Sequence, residues 1–328
     1  MASPDKTLGA IAAFAAPALF AAPALVAAPA LVAALAAHPR PATAQEADAS
    51  PAGWFRLNTF EPASTPRDGL ENEHGEVLGH LELAGAATLQ ADGDPLTFQR
   101  KSAGGYEETA VVVDHLVALH LGVALGLLDH LQIDIGLPVY LDKGLPGAAA
   151  GIGDLRAGLK GALRFDVGEH EAGVALLAPL TLPTGDERTY SGEGVVGFAP
   201  RVAADLATGP VRTVLNVGIA ARDSRARLGL ERATALTASL GGELRFAAVP
   251  GDLRALIELG TASTFADFFG RAATPVELVG GVAYRFENGL SLGAAGGAGL
   301  SPGVGAPDFR TLASVGFCAP LRRGADGA

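Results

Sequence analysis

The sequence predicts an all-β chain, a transmembrane antiparallel up-and-down β-barrel of about 12 strands with both termini periplasmic. Three observations carry that prediction. From Gly79 onward apolar residues recur at every second position, connections alternate between long and short, and the face opposite the apolar one carries charges of both signs.

Residues 1–44 read as an export signal. Lys6 precedes an uncharged run from Ile11 to Ala37, and Ala42, Thr43 and Ala44 supply the small residues of a cleavage site before Gln45. The hexads AAPALF and AAPALV place Pro17, Pro23 and Pro29 inside that run, where each would break a spanning helix. Residues 45–78 form a largely polar head with Pro51, Pro62 and Pro66. It is expected either as a periplasmic lead or as a piece folded into the lumen as a plug, with Trp54 and Phe55 as an anchoring contact.

The barrel is expected over 79–320 and a polar tail over 321–328. Twelve strand segments fall near 79–90, 109–127, 129–141, 153–165, 170–182, 193–207, 210–222, 230–247, 251–265, 274–286, 289–300 and 306–319. Leu131, Ile133, Ile135, Leu137, Val139 and Leu141 share one face while Gln132, Asp134, Gly136, Pro138 and Tyr140 share the other, a separation that a strand makes and a helix does not. Long connections are expected near 91–108, 142–152, 183–192, 223–229, 266–273 and 301–305. Short ones are expected near 128, 166–169, 209, 250 and 287–288. That is the order of outer loops and periplasmic turns in bacterial barrels. Closure follows from the solvent: in hydrocarbon an open sheet edge leaves a row of unmet backbone groups.

With the apolar set outward, the candidate lumen-lining residues are Asp134, Asp154, Arg156, Lys160, Arg164, Arg201, Asp205, Arg212, Glu243, Arg245, Arg254, Glu258, Glu277, Arg285 and Arg310, with Asn216 among them. Charges of both signs require an interior that is wet, ion-paired, or both. Phe165, Phe198, Phe246, Tyr284, Phe286, Phe309 and Phe317 take outward positions. The loop residues Phe268 and Phe269, beside Asp267 and Arg271, are the candidate surface patch.

Other chemistry is poorly served. A net charge of -11, from 24 Lys+Arg against 35 Asp+Glu, argues against nucleic acid as a partner, and the lone Cys318 excludes a disulfide framework. His115 and His120 are five residues apart and point to opposite faces of a strand; no histidine has a partner at zinc spacing. Ser239 and Ser314 face inward while His115 faces outward, so no nucleophile pair of a lipid-acting enzyme assembles. No catalytic residue, metal or cofactor is expected. The expected function is an outer-membrane passive pore, porin-like, for small solutes. The alternative is a structural or surface-interaction barrel without an open channel, and the minor alternative a lipid-acting barrel enzyme. Expected partners are outer-membrane lipid and, during biogenesis, the barrel-assembly machinery of a Gram-negative bacterium.

The head from Trp54-Phe55 to Phe60-Glu61-Pro62, the passage Gly126 to Pro138, Gly151-Ile152-Gly153-Asp154-Leu155-Arg156, Leu180-Thr181-Leu182-Pro183-Thr184-Gly185 and Gly305 to Arg310 together resemble the amino-terminal barrel regions of myxobacterial and proteobacterial OmpA-family outer-membrane proteins. The resemblance covers about 50–320 and implies a transmembrane barrel. Family members often continue into a peptidoglycan-binding domain, and no such tether is carried over to this chain. A more distant resemblance is to barrel proteins proposed to pass hydrophobic compounds in aromatic degradation pathways.

Overall fold

The computed structural model describes residues 58–321 apart from 103–104, 145–149, 187–189, 222–224, 228–229, 233, 272, 302 and 304. The export segment 1–44, Trp54, Phe55 and all of the tail beyond Leu321 lie outside the described residues.

Alternation of side chains decides the architecture. In β10 (Val211–Ala220) the residues Val214, Asn216, Gly218 and Ala220 are buried, whereas Leu215, Val217 and Ile219 between them are exposed. The same alternation runs through β3 (Leu131–Asp142) and β14 (Asp252–Thr264). The other uninterrupted wall strands are β1 (Glu82–Ser102), β2 (Gly105–Leu128), β13 (Ala235–Arg245), β15 (Val276–Arg285), β16 (Leu290–Gly299) and β17 (Phe309–Pro320). Three wall strands are each interrupted once: β4 (Gly151–Ile152) with β5 (Leu155–Val167), β6 (His170–Leu177) with β7 (Leu180–Leu182), and β8 (Gly197–Phe198) with β9 (Arg201–Thr208). Among the described residues this makes twelve wall strands, each antiparallel to its neighbours, and β17 pairs with β1 from Glu82↔Pro320 to Gly93↔Phe309 to close the ring. The first and last strands therefore begin and end at one end of the barrel. A small hairpin, β11 (Arg225–Arg227) with β12 (Leu230–Arg232), extends one long connection outside the wall.

The outer surface is apolar where the inner one is charged. Ile135, Leu163 and Leu176 are each more than half exposed, an arrangement that water penalises and hydrocarbon does not. Ten residues of β10 reach about 33 Å along the strand, or roughly 25 Å of height at the usual tilt, which matches an outer-membrane apolar band. Aromatics mark both rims. Phe165, Phe246, Tyr284, Phe286 and Phe317 lie near the short turns, with Tyr284 edge-on to Phe286 at 4.5 Å. Phe198 and Phe309 lie near the long connections. Among the described residues no helix is long and apolar enough to cross a membrane.

The expected connection at 91–108 is corrected: β1 and β2 continue as a paired hairpin from Gly93↔His115 out to Ser102↔Gly105, with register shifts that twist it beyond the wall. Asp92, placed in that connection by the pattern, is an inward wall residue.

Candidate functional site: the barrel lumen

The lumen is occupied by the chain's own residues 58–78. Side chains and backbone of this stretch bond to inward residues of strands all around the ring, and Asn72, Glu73 and His74 are each 1% exposed. Four apolar side chains seat it. Phe60 and Leu70 pack on Val279, Leu312 and Ala295. Val77 packs on Ala162, Ala175, Leu177 and Ala203, and Leu78 on Ala84, Ala124 and Cys318. The small inward residues of the wall are thus the spaces that these larger side chains fill. At one place the two backbones touch: a Cβ on Gly75 would lie 2.1 Å from the carbonyl carbon of Gly173, so neither position accommodates a side chain without displacement.

Charge holds the segment along three levels of one wall. Glu61 lies 3.5 Å from Arg201 and 4.0 Å from Arg156. Lys160 bonds Glu73 at 2.7 Å and Asp68 at 3.1 Å, all three nearly fully buried. Glu76 pairs with Arg164 and lies 3.6 Å from Arg212. Across the lumen, β14 grips main chain instead. Glu258 accepts hydrogen bonds from the backbone N–H groups of Leu70, Glu71 and Asn72 at 2.7, 2.8 and 3.1 Å. Arg254 donates to the carbonyl of Arg67 at 2.9 Å. Asp205 accepts from Gly75 N–H at 2.5 Å, Gln132 from Leu78 N–H at 3.0 Å, and Asn216 exchanges two bonds with the backbone of Glu73.

Buried ion pairs of this kind exist because each charge has a partner; alone, any of them would cost several kcal/mol. Burial by itself would push the His74 imidazole down, but the Glu243 carboxylate 2.7 Å from Nε2, with Glu76 and Asp68 nearby, holds it at about 9. The Arg212 guanidinium, 3.1 Å from Nδ1, opposes that second proton and is outweighed. Burial would likewise raise Glu73, yet Lys160 and Arg156 bring its carboxyl down to about 2. Glu71 goes the other way, pushed well up by burial and by the charge of Glu277.

Of the expected lumen residues, Asp134, Lys160, Asp205, Glu243, Arg254, Glu258 and Arg310 are buried, and Arg156, Arg201, Arg212 and Glu277 nearly so. Arg310 is 1% exposed and held by Asp92, Glu277 and Glu71. Asp154 takes a different part: its carboxylate accepts from Gly185 and Glu193 N–H at 3.0 and 2.8 Å, which ties down the long connection between β7 and β8. Arg164, Arg245 and Arg285 stand at the short-turn rim, Arg245 more than half exposed, and both Arg245 and Arg285 pair with Asp252. The pattern missed Asn58, Gln90 and His120, which form a buried cluster, with Gln90 Nε2 2.6 Å from Asp92. Their signal was the polar parity of β1, hidden by the hairpin. Phe268 and Phe269 are exposed in the connection after β14 and contact each other at 4.3 Å, with Phe265 stacked on Phe268 at 5.9 Å. No group of three His, Cys, Asp or Glu fit to hold a metal occurs among the described residues.

A cavity of about 120 Å³ remains between the head and the wall, lined by Phe60, Glu61, Pro62, His120, Tyr140 and Arg156 among others. It has room for a handful of waters and not for a large solute.

No protein-family model and no curated protein matches the sequence. Among solved structures, the chain is similar to an outer membrane channel from Pseudomonas putida F1, with a TM-score of 0.54 and 16% identity over 74% of this chain and 97% of that one. It is also similar at lower scores to the NanC porin (TM-score 0.43, 9% identity, 74% and 100% covered) and to the β domain of the Bordetella autotransporter BrkA (0.39, 16%, 72% and 99%). The first likeness supports the fold: a closed antiparallel barrel of the outer-membrane type. The expected resemblance to the barrel of the OmpA family is overturned, because the ring has twelve wall strands where OmpA-type barrels have about eight.

Proposed function

We propose that this chain is a passive outer-membrane channel for small solutes whose lumen residues 58–78 keep plugged at rest. The observation that supports this most is the nature of the plug's seat. Polar side chains of the wall and polar groups of the head meet through hydrogen bonds and ion pairs, and a water-filled lumen can replace such contacts one by one once the head withdraws. Twelve strands give a bore between the filled eight-strand barrels and the open channels of 16 to 18 strands, so the bore suits small solutes only. The apolar belt and two aromatic rims favour residence in an outer membrane, with both termini periplasmic, surrounding lipid as partner and insertion by the barrel-assembly machinery.

Full-length protein in a planar bilayer is expected to show discrete current steps that become more frequent when the seat is weakened, as in Glu258→Leu. A second reading, a structural barrel without a channel, is favoured by the near-complete burial of Glu73, His74 and Lys160. Silence at every voltage from both proteins, each migrating as a heat-modifiable folded barrel on a gel, would establish that second reading.

A further inference from the structure

The wall's cations are arranged as a file. Arg156, Lys160 and Arg164 recur at every fourth residue of β5, about 13 Å apart along one face. Arg201 stands beside the first level and Arg212 beside the last, since Glu61 bridges Arg156 and Arg201 while Glu76 bridges Arg164 and Arg212. Head carboxylates occupy all three levels: Glu61 at the first, Glu73 with Asp68 at the second, and Glu76 at the last. Wall acids neutralise the file in part, with Asp134 on Arg156 at 3.2 Å, Asp205 on Arg212 at 3.4 Å and Glu171 on Arg164 at 3.0 Å. Lys160 and Arg201 are different: among the described residues their carboxylate partners all belong to the head.

We propose that this file is a path for small carboxylate solutes, and that Glu61, Glu73 and Glu76 lie on it as tethered substitutes for the solute. The proposal rests on the reading of the chain as a channel and specifies what it passes. A planar carboxylate suits the paired guanidinium groups of the first and last levels, which donate in its plane. Spacing of about 13 Å lets an anion leave one level as it reaches the next. At the first level the cavity joins Arg156 and Glu61 to Phe60, Pro62 and Tyr140, so charge and a small apolar body are both received there. The solute class is therefore a carboxylate on a small apolar or aromatic frame. The opposite wall mixes signs, Glu258 and Glu277 with Arg254 and Arg310, whereas β5 presents cations at all three of its levels.

The test uses the full-length chain in planar bilayers under a potassium chloride gradient, with potassium benzoate as the organic probe and benzyl alcohol as its neutral counterpart. The unmodified chain is expected to prefer chloride over potassium. Micromolar to millimolar benzoate is expected to interrupt the chloride current, and benzyl alcohol to leave it unchanged. Glu61→Gln with Glu76→Gln, which loosens the head from two levels of the file, is expected to raise the frequency of current steps by about threefold or more while each step keeps its chloride-over-potassium ratio. Arg156→Gln with Arg201→Gln is expected to bring the ratio to about one and remove the benzoate effect. Where the arginine variant does not assemble, the benzoate and benzyl alcohol measurements on the unmodified chain decide alone. Current that is indifferent to benzoate, or that keeps its chloride preference in the arginine variant, overturns the anion path and leaves the channel intact. A folded barrel that carries no current overturns both.

Discussion

Strands β5 and β14 face each other across the lumen and hold the same segment by different chemistry. β5 offers Arg156, Lys160 and Arg164 to side-chain carboxylates of the head. β14 offers Glu258 to three backbone N–H groups and Arg254 to backbone carbonyls. The first grip reads the head's sequence, since each acidic residue lost removes one of its pairs. The second reads only main chain and survives any substitution in the head that keeps its path. Together they make a seat whose strength is set on one wall by composition and on the other by conformation.

The seat is weakened most severely at β5. Lys160→Met leaves Asp68 and Glu73 buried side by side without their cation, and removing one member of a buried ionic group costs about 3–5 kcal/mol. The seat is expected to open, and tryptic cleavage after Arg67, which is sheltered inside the ring, to accelerate on the order of a hundredfold or more, because cleavage follows the population of the open form. At β14, Glu258→Leu strands three N–H groups. Hydrogen bonds to a charged acceptor are worth about 1.5–3 kcal/mol each and do not add, so about 2–3 kcal/mol and a cleavage gain of roughly thirty- to a hundredfold are expected. Glu258→Gln retains one acceptor oxygen and is expected between Leu and the native residue. Equal cleavage rates in the Leu variant and the unmodified chain would show that main chain is not gripped there.

A third break is by pH, at His74. The imidazole is held at about 9 against an ordinary 6.5, by Glu243 from β13 and by Glu76 and Asp68 from the head, with Arg212 of β10 opposed. A group raised on folding contributes stability that is whole below about pH 6.5 and is lost as pH rises through about 9. Glu73, brought down to about 2, contributes in the opposite window: in full above about 4.5 and lost as pH falls through about 2. The head is thus expected to loosen between pH 7 and 10, read as faster cleavage after correction for the protease's own pH profile. His74→Gln is expected to flatten that rise, and a slope that persists in the variant would assign it elsewhere.

The barrel was legible in the sequence because lipid imposes a simple code on it. One face of every strand must be apolar, so Leu131, Ile133 and Ile135 declare the outside and Gln132 and Asp134 the inside without knowledge of any partner. The seat was legible only as a set of charges needing partners. Residues 58–78 have no strand or helix period, and their hydrogen-bonding partners lie up to 246 positions away, as with Thr59 and Gly305. Nothing local in either stretch names the other. Resemblance to the OmpA family misled for a related reason. Gly153-Asp154 and Leu182-Pro183-Thr184-Gly185 close a loop on each other, Thr184 Oγ1 donating to Gly153 carbonyl at 2.8 Å and Asp154 receiving Gly185 N–H. Such a closure is local and does not count strands.

The weakest contact of the seat is the one that separates its two grips. Glu61 meets Arg201 at 3.5 Å and Arg156 at 4.0 Å, and all three side chains keep 15–25% of their surface exposed. A loose, partly wet pair contributes under about 1 kcal/mol, so Glu61→Gln is expected to raise cleavage after Arg67 by less than about fivefold. The effect is also expected to shrink as salt rises from 0.05 to 0.5 M, since the charges of this level are reached by screening ions, whereas the buried contacts of Glu258 are not. If side-chain charge and main-chain hydrogen bonding are separate grips, the glutamine change adds to Glu258→Leu in the double variant, within about 0.5 kcal/mol. Strong coupling between the two would mean that the head moves as one rigid piece and that the distinction between β5 and β14 is one of contacts, not of function.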